Sequence, residues 1–351
     1  AKQAKCTADN IEDRTDNAMH VMINGQRRIA ETRYEKIKGN SDIPYSFVAK
    51  VAVKPQGGYG QEDAIVVKKG ALERGMATTL FFRSYHDEER NNGKSSGPDV
   101  ERFKKPDPKN TVGLRAANYH ALDDNGIARV GSEVGEGDVI VGKTIIVAGA
   151  GREGRGEQIE RDRSKVIRKG TETSKVDKVV LSETHEGLQS VYMRTRALRI
   201  PEVGDKFATL HGQKGVIGAI YPDEDMPFSV EDGTSPDIII NAPAFPSRMT
   251  INMLKEALAG KAAALSGKIA DMTPFCGQGT EEFEKILHES GFQYQGNEMM
   301  ICGKTGEMME VPIFTGLVSY MALKHMVADK EHARGRGPRN VRTHQPTEGR
   351  S

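Results

Sequence analysis

The sequence predicts an α+β fold in which β structure dominates. Three observations lead there: short β-branched runs cut by turns, 38 glycines among 351 residues, and helical periodicity confined to the last third. That glycine count is well above the usual share of about 7%. In chain order, Phe47–Val53 and Ala64–Val67 are the first strand-like runs, rich in valine. Val139–Val141 and Ile145–Ala148 follow on either side of Gly142, then Val179–Leu181, Val191–Ile200 and Ile238–Asn241. Thr250 can cap a helix whose apolar face is Ile251, Leu254, Leu258 and Leu265. Thr280 can cap a second, with Glu281 and Glu282 in its first turn and Gly291 beyond its end. Tyr320, Leu323 and Val327 predict a third helix running into a basic segment. Asp87–Asp107 and Gly149–Lys178 are charged and poor in large apolar residues, which predicts the exposed loops of an inserted, surface-rich module.

Composition narrows the function classes. Hydrophobic residues make up 37% of the chain, and no apolar run approaches the roughly 18 residues of a membrane span. The opening AKQAKCTADN lacks the apolar core of a secretory signal. Cys6, Cys276 and Cys302 are too few for a disulfide scaffold or a complete four-cysteine zinc site. A soluble intracellular protein is expected. Ala1 without a preceding methionine, and Ser351 after an arginine-rich run, point to a piece of a longer chain.

Lys+Arg 50 against Asp+Glu 49 leaves a formal charge of +1, so bulk charge announces no nucleic acid. The distribution says more. Lys330, Arg334, Arg336, Arg339, Arg342 and Arg350, against Glu331 and Glu348, give the last 22 residues a net +4. Such a segment reads as an anion-binding surface, although composition alone equally allows a solvated basic tail.

Two phosphate motifs fail on context. Gly137-x-x-x-x-Gly142-Lys143-Thr144 matches the phosphate-loop pattern, but that chemistry needs a helix after the loop. Here Lys143-Thr144 runs into Ile145-Ile146-Val147, so two extended segments bent at a glycine are expected. Gly149-x-Gly151-x-x-Gly154 follows an apolar strand, but the residues after it lack the apolar face of a Rossmann helix. A solvated loop is the better reading.

The informative constellation begins with Gly204-Asp205-Lys206-Phe207 and His211-Gly212-Gln213-Lys214-Gly215. Glycines let backbone approach a ligand, and ammonium groups supply point charges for phosphate. Lysines beside a turn are also common on any surface. Glu62 and Asp63 place two carboxylates between a glycine turn and the strand Ala64–Val67, where they could orient metal-bound water or simply form an acidic turn. Arg248, in Pro243–Thr250, is expected at the start of a helix, where a guanidinium and free N–H groups could hold a polyphosphate together.

Taken in order, GYGQEDAIV, LERG, LFFRSY, GDKFATLHGQKGVIG, DEDMPF, PDIIINAPAFPSRMT, HMVADKEHARGRGP and QPTEGRS resemble the second-largest (beta-type) subunit of multisubunit DNA-directed RNA polymerase. The similarity is closer to the eukaryotic, archaeal and large-DNA-virus branch than to the bacterial one. Only 87–109 and 149–178 match poorly.

The resemblance implies a hybrid-binding region with a double-psi β-barrel over residues 1–83 and 198–351, and an inserted wall or flap over 84–197. It implies a nucleotidyltransferase whose catalytic Mg2+ is shared with, and mainly held by, the largest subunit, so the isolated chain would be inactive. Carried over by position, Lys206 and Lys214 lie near the RNA 3′ end and incoming triphosphate. Glu62 and Asp63 lie near the second metal, without being assigned as direct ligands, and Arg248 lies near the nucleotide phosphates. Gln3 lies near the nascent RNA end, and Lys330, Arg334, Arg336, Arg339 and Arg342 contact the hybrid and template backbone. Leu210 departs from the family's usual basic or polar residue, and Ala64 from its frequent serine. Implied partners are the largest and other polymerase subunits, DNA template, nascent RNA and ribonucleoside triphosphates, with no membrane and no zinc in this segment. The implied location is the nucleus, or the cytoplasm or virion. Two other classes remain open: a non-catalytic module that grips an RNA–DNA duplex, and a phosphate-loop NTPase.

Overall fold

A computed structural model describes residues 3–39, 42–91, 100–148, 158–168, 170–333 and 335–347. The chain divides into two compact units, one of Ala1–Asp9, Met22–Thr79 and Ile200–Ser351, the other of Asn10–Val21 and Leu80–Arg199.

The first unit is built on six strands: β1 (Phe47–Val53), β2 (Ala64–Lys68), β3 (Lys206–Thr209), β4 (Lys214–Tyr221), β5 (Ile238–Ile240) and β6 (Ile313–Ala322). They pair in the order β3-β4-β2-β5-β1-β6, and β6 pairs back onto β3, closing a barrel. The pairings β4–β2 and β5–β1 are parallel and the rest antiparallel. Alternation explains the closure. Phe47, Ala49, Val51, Ile65, Val67, Phe207, Ile217, Ile238, Ile240, Val318 and Tyr320 come from all six strands into one buried cluster.

The β4–β2 pairing depends on a missing side chain: a Cβ on Gly215 would lie 2.9 Å from the Asp63 carbonyl oxygen and 2.7 Å from Ile65. Helix α1 (Ala244–Arg248) is followed by α2 (Ile251–Ser266) and α3 (Thr280–Glu289). Helix α2 lies directly on β6, because a Cβ on Gly260 would sit 2.4 Å from the Leu317 carbonyl oxygen. Its centre, Met253 and Glu256–Ala263, is buried. Ile251 and Leu265, expected on its apolar face, are 62% and 42% exposed. Gly279, not Thr280, is the N-cap of α3. The third expected helix is absent: Ile313–Ala322 is the seven-rung partner of β1, and only Val327–Asp329 forms a single 3-10 turn. Pairing to a central strand outweighed the three-residue spacing.

In the second unit, the strands Ala18–Met22, Thr79–Glu88, Gln189–Arg199, Ser174–Glu183 and Glu133–Val134 form one sheet in that order. A four-stranded sheet runs Glu101–Phe103, Lys143–Ala148, Gln158–Asp162 and Thr111–Val112. The phosphate-loop match is two strands, Val139–Val141 and Lys143–Ala148, joined at Gly142. Lys143 is buried, its ammonium 3.0 Å from Asp87 and 2.8 Å from Glu101. The Gly149–Gly154 pattern lies outside the described residues. The charged stretches are more than loops, since Glu101 and Asp162 are buried. Burial would raise the Asp162 carboxyl, but hydrogen bonds from Ser164, Tyr119 and the Arg115 N–H hold it below its ordinary value. Burial, reinforced by Asp162, pushes the Tyr119 phenol up to about 12.

Candidate functional site

Two of the expected site residues, Lys206 and Lys214, lie on one hairpin of the barrel. Lys206 lies opposite Val216, and Ala208 opposite Lys214, so the four share one face of the β3–β4 hairpin. Phe207 and Ile217, on the other face, enter the barrel core. Lys206 and Lys214 therefore point away from the core as diagonal neighbours, with Cα atoms about 7–8 Å apart. Among the described residues, neither has a carboxylate partner within 4 Å.

The residues around Lys206 are held by the glycine and acid that precede it. Gly204 has φ +102°, and a Cβ there would lie 3.2 Å from Val327. Asp205, buried, accepts the Val327 N–H at 2.9 Å and the Glu202 N–H at 3.2 Å. This clamp fixes the turn that leads into Lys330. Past the end of β6, the Leu323 N–H donates to the Lys206 carbonyl (2.9 Å) and the Lys324 N–H to the Gln3 carbonyl (3.0 Å). Gln3 and Lys206 thus flank the same short segment. The His325 Nε2–H donates to Gln3 Oε1 at 2.7 Å. Loss of solvent, then the charges of Lys330, Lys206 and Lys324, hold His325 below its ordinary value of 6.5. Sequence reasoning missed Asp205, Lys324 and His325. Asp205 carried a signal, an acid beside a glycine and a lysine, but its partner is 122 residues away.

Around Lys214 the grouping is acidic as well as basic. Glu62, Asp63, Gln213, Lys214 and Asn241 line one small crevice. Glu62 is exposed with φ +49°, a left-handed conformation that costs a non-glycine residue on the order of 1 kcal/mol. Asp63 is ion-paired with Arg248. Arg248 does not open a helix: it is the last residue of α1, followed by Met249 at φ +56°. Both partners are more than a third exposed, so the pair contributes at most about 1 kcal/mol.

Two adjacent carboxylates, one already engaged by an arginine, do not make a cation cage, and no three metal-ligating side chains converge among the described residues. A Mg2+ ion does not fit here as a resident of this chain alone. Arg336, Arg339 and Arg342 are exposed on a chain segment shaped by local bonds such as Asn340 N–H to the Gln345 carbonyl (2.9 Å). Arg334 lies outside the described residues. No described helix is long and apolar enough to cross a membrane.

A family model described as RNA polymerase Rpb2, domain 6, matches residues 1–351. The chain is 41% identical over 342 residues to DNA-directed RNA polymerase II subunit 2 of Arabidopsis thaliana, covering 97% of this chain and 28% of that protein. It is 42% identical over 355 residues to DNA-directed RNA polymerase subunit Rpo2 of Saccharolobus shibatae, covering 100% and 31%. Against DNA-directed RNA polymerase II subunit RPB2 of Schizosaccharomyces pombe it is 40% identical over 345 residues, covering 97% and 28%. The chain thus spans about three tenths of the length of these curated relatives. With the whole of its length matched, the chain belongs to the RNA polymerase Rpb2, domain 6, family.

Proposed function

We propose that the chain is part of the catalytic core of DNA-directed RNA polymerase, an intracellular nucleotidyltransferase, and supplies side chains that contact nucleotide phosphates and the RNA–DNA hybrid. The observation that carries this reading is the pair Lys206 and Lys214, set on one outward face of a hairpin and left without carboxylate partners among the described residues. In nucleotidyl transfer the RNA 3′-hydroxyl attacks the α-phosphorus and pyrophosphate leaves. Ammonium groups fixed before the reaction offset charge that grows on the β- and γ-phosphates. Lys206 and Lys214 take that part, Arg248 exchanges Asp63 for a nucleotide phosphate, and Gln3 contacts the RNA end. Glu62 and the released Asp63 would lie beside a Mg2+ ion held mainly by the largest subunit, where carboxylates could orient its water. Lys330, Arg334, Arg336, Arg339 and Arg342 hold the hybrid and template backbone.

On this reading the barrel is a double-psi barrel and residues 84–197 are the wall or flap. The principal Mg2+ ligands then belong to the largest subunit, with DNA template, nascent RNA and ribonucleoside triphosphates as further partners. The location is the nucleus, or the cytoplasm or virion. Reconstitution tests the proposal. The purified chain alone should make no RNA, and an assembled polymerase that contains this segment should carry out template-dependent synthesis. RNA synthesis by the chain alone would contradict it.

A further inference from the structure

The hairpin tip between the two lysines is tethered by a buried acid on another element. The turn closes through Thr209 N–H to the Gln213 carbonyl (3.0 Å) and Gly212 N–H to the Thr209 carbonyl (3.2 Å). Two side chains leave it. Leu210 packs against the cluster of Ala208, Met321 and Leu323, an apolar tether where the resemblance predicts a basic or polar residue. His211 donates its Nε2–H to Glu256 Oε2 of α2. Glu256 is 7% exposed, and its other oxygen accepts the Ser319 N–H of β6 at 3.0 Å. Ser319 is one residue before Tyr320, which faces Thr209 where β3 ends. Where β3 turns away from β6, the Glu256 carboxylate takes over as partner, one oxygen to the strand and one to the departing turn. Helix α2 can deliver that carboxylate because Gly260 and Gly316 let it lie against β6.

The geometry points to His211 and Glu256 as positioning residues that hold the β3–β4 turn, and through it Lys206 and Lys214, in the orientation that nucleotide addition requires. This rests on the proposed role of the two lysines. A carboxylate bridging three elements fixes the tip without touching substrate, and loss of its lock would misplace two charges at once. Misplacement of about 1 Å at a reacting centre can cost up to roughly a hundredfold in rate.

The test is single-nucleotide addition by the assembled polymerase over a range of triphosphate concentrations, with Lys214→Ala run in parallel. His211→Ala and Glu256→Gln should each lower the maximal rate about tenfold, with little change in apparent KM. The double variant should be no slower than either single one, because the two act through one contact. His211→Gln, whose amide N–H can still donate to Glu256, should recover most of the rate. A normal maximal rate for His211→Ala beside a slow Lys214→Ala overturns the positioning role alone. So does a lowered melting temperature with the rate intact. If Lys214→Ala is also unimpaired, the lysine assignment has failed and the positioning role falls with it.

Discussion

Lys143 and Lys214 make an instructive pair. Lys143 completes a phosphate-loop pattern, yet it is buried in the second unit with its charge taken up by Asp87 and Glu101. Lys214 belongs to no comparably diagnostic short pattern, yet it stands exposed on the barrel hairpin, sharing a face with Lys206. A cation already matched by two carboxylates has nothing left for a phosphate. Spacing in a sequence therefore says less about chemistry than the partners a fold gives each charge.

That contrast can be broken or sharpened at several sites. The largest expected effect on stability is at Lys143. Lys143→Ala leaves Asp87 and Glu101 facing each other without a cation, and removing one partner of a buried pair costs about 3–5 kcal/mol. Denaturant unfolding of the chain should show it. The parent chain should hydrolyse no ATP, and a Lys143-dependent ATPase would reverse the comparison. Next, Gly260→Val should cost the barrel unit about 1–3 kcal/mol, because the new side chain would overlap the Leu317 carbonyl. Hydrogen exchange should report it first in β6 and α2.

Salt dependence distinguishes the two kinds of cation directly. Binding of an RNA–DNA hybrid should weaken steeply with salt, and Lys330→Ala or Arg336→Ala should each reduce the log–log slope by about one. A Lys143 variant that stays folded should leave the slope unchanged. The smallest effect is at His325. Its folded value lies below 6.5, so the folded chain binds this proton less tightly than the unfolded chain. The neutral residue's contribution is complete above the unfolded value and lost as pH falls through and below it. An NMR titration should place its midpoint under 6.5. Lys330→Ala should move the midpoint upward.

Much of the barrel was legible because its strands alternate cleanly, as Phe47, Ala49 and Val51 do in β1. In β6 the same alternation, Val318, Tyr320 and Ala322, was masked because Tyr320, Leu323 and Val327 also fit a helical spacing. The charged stretches read as loops because the partners that bury their acids, Lys143 for Glu101 and Tyr119 for Asp162, are remote in sequence. Within the site, Lys206, Lys214, Glu62 and Asp63 were visible as turn residues beside strands. Asp205, Glu256 and His325 were not, since each acts through a partner that only the fold brings near.

The most direct test of the lysine hairpin is single-nucleotide addition at saturating triphosphate by assembled polymerase carrying Lys206→Ala, Lys214→Ala or Lys330→Ala. Loss of one preorganised charge at a transition state typically costs about 10²–10³ in rate. Lys206→Ala and Lys214→Ala should slow addition on that scale while leaving retention of the preformed hybrid nearly intact. Lys330→Ala should weaken retention with a smaller effect on the maximal rate. Unchanged maximal rates for both hairpin variants would contradict the account and leave the chain a grip for the duplex.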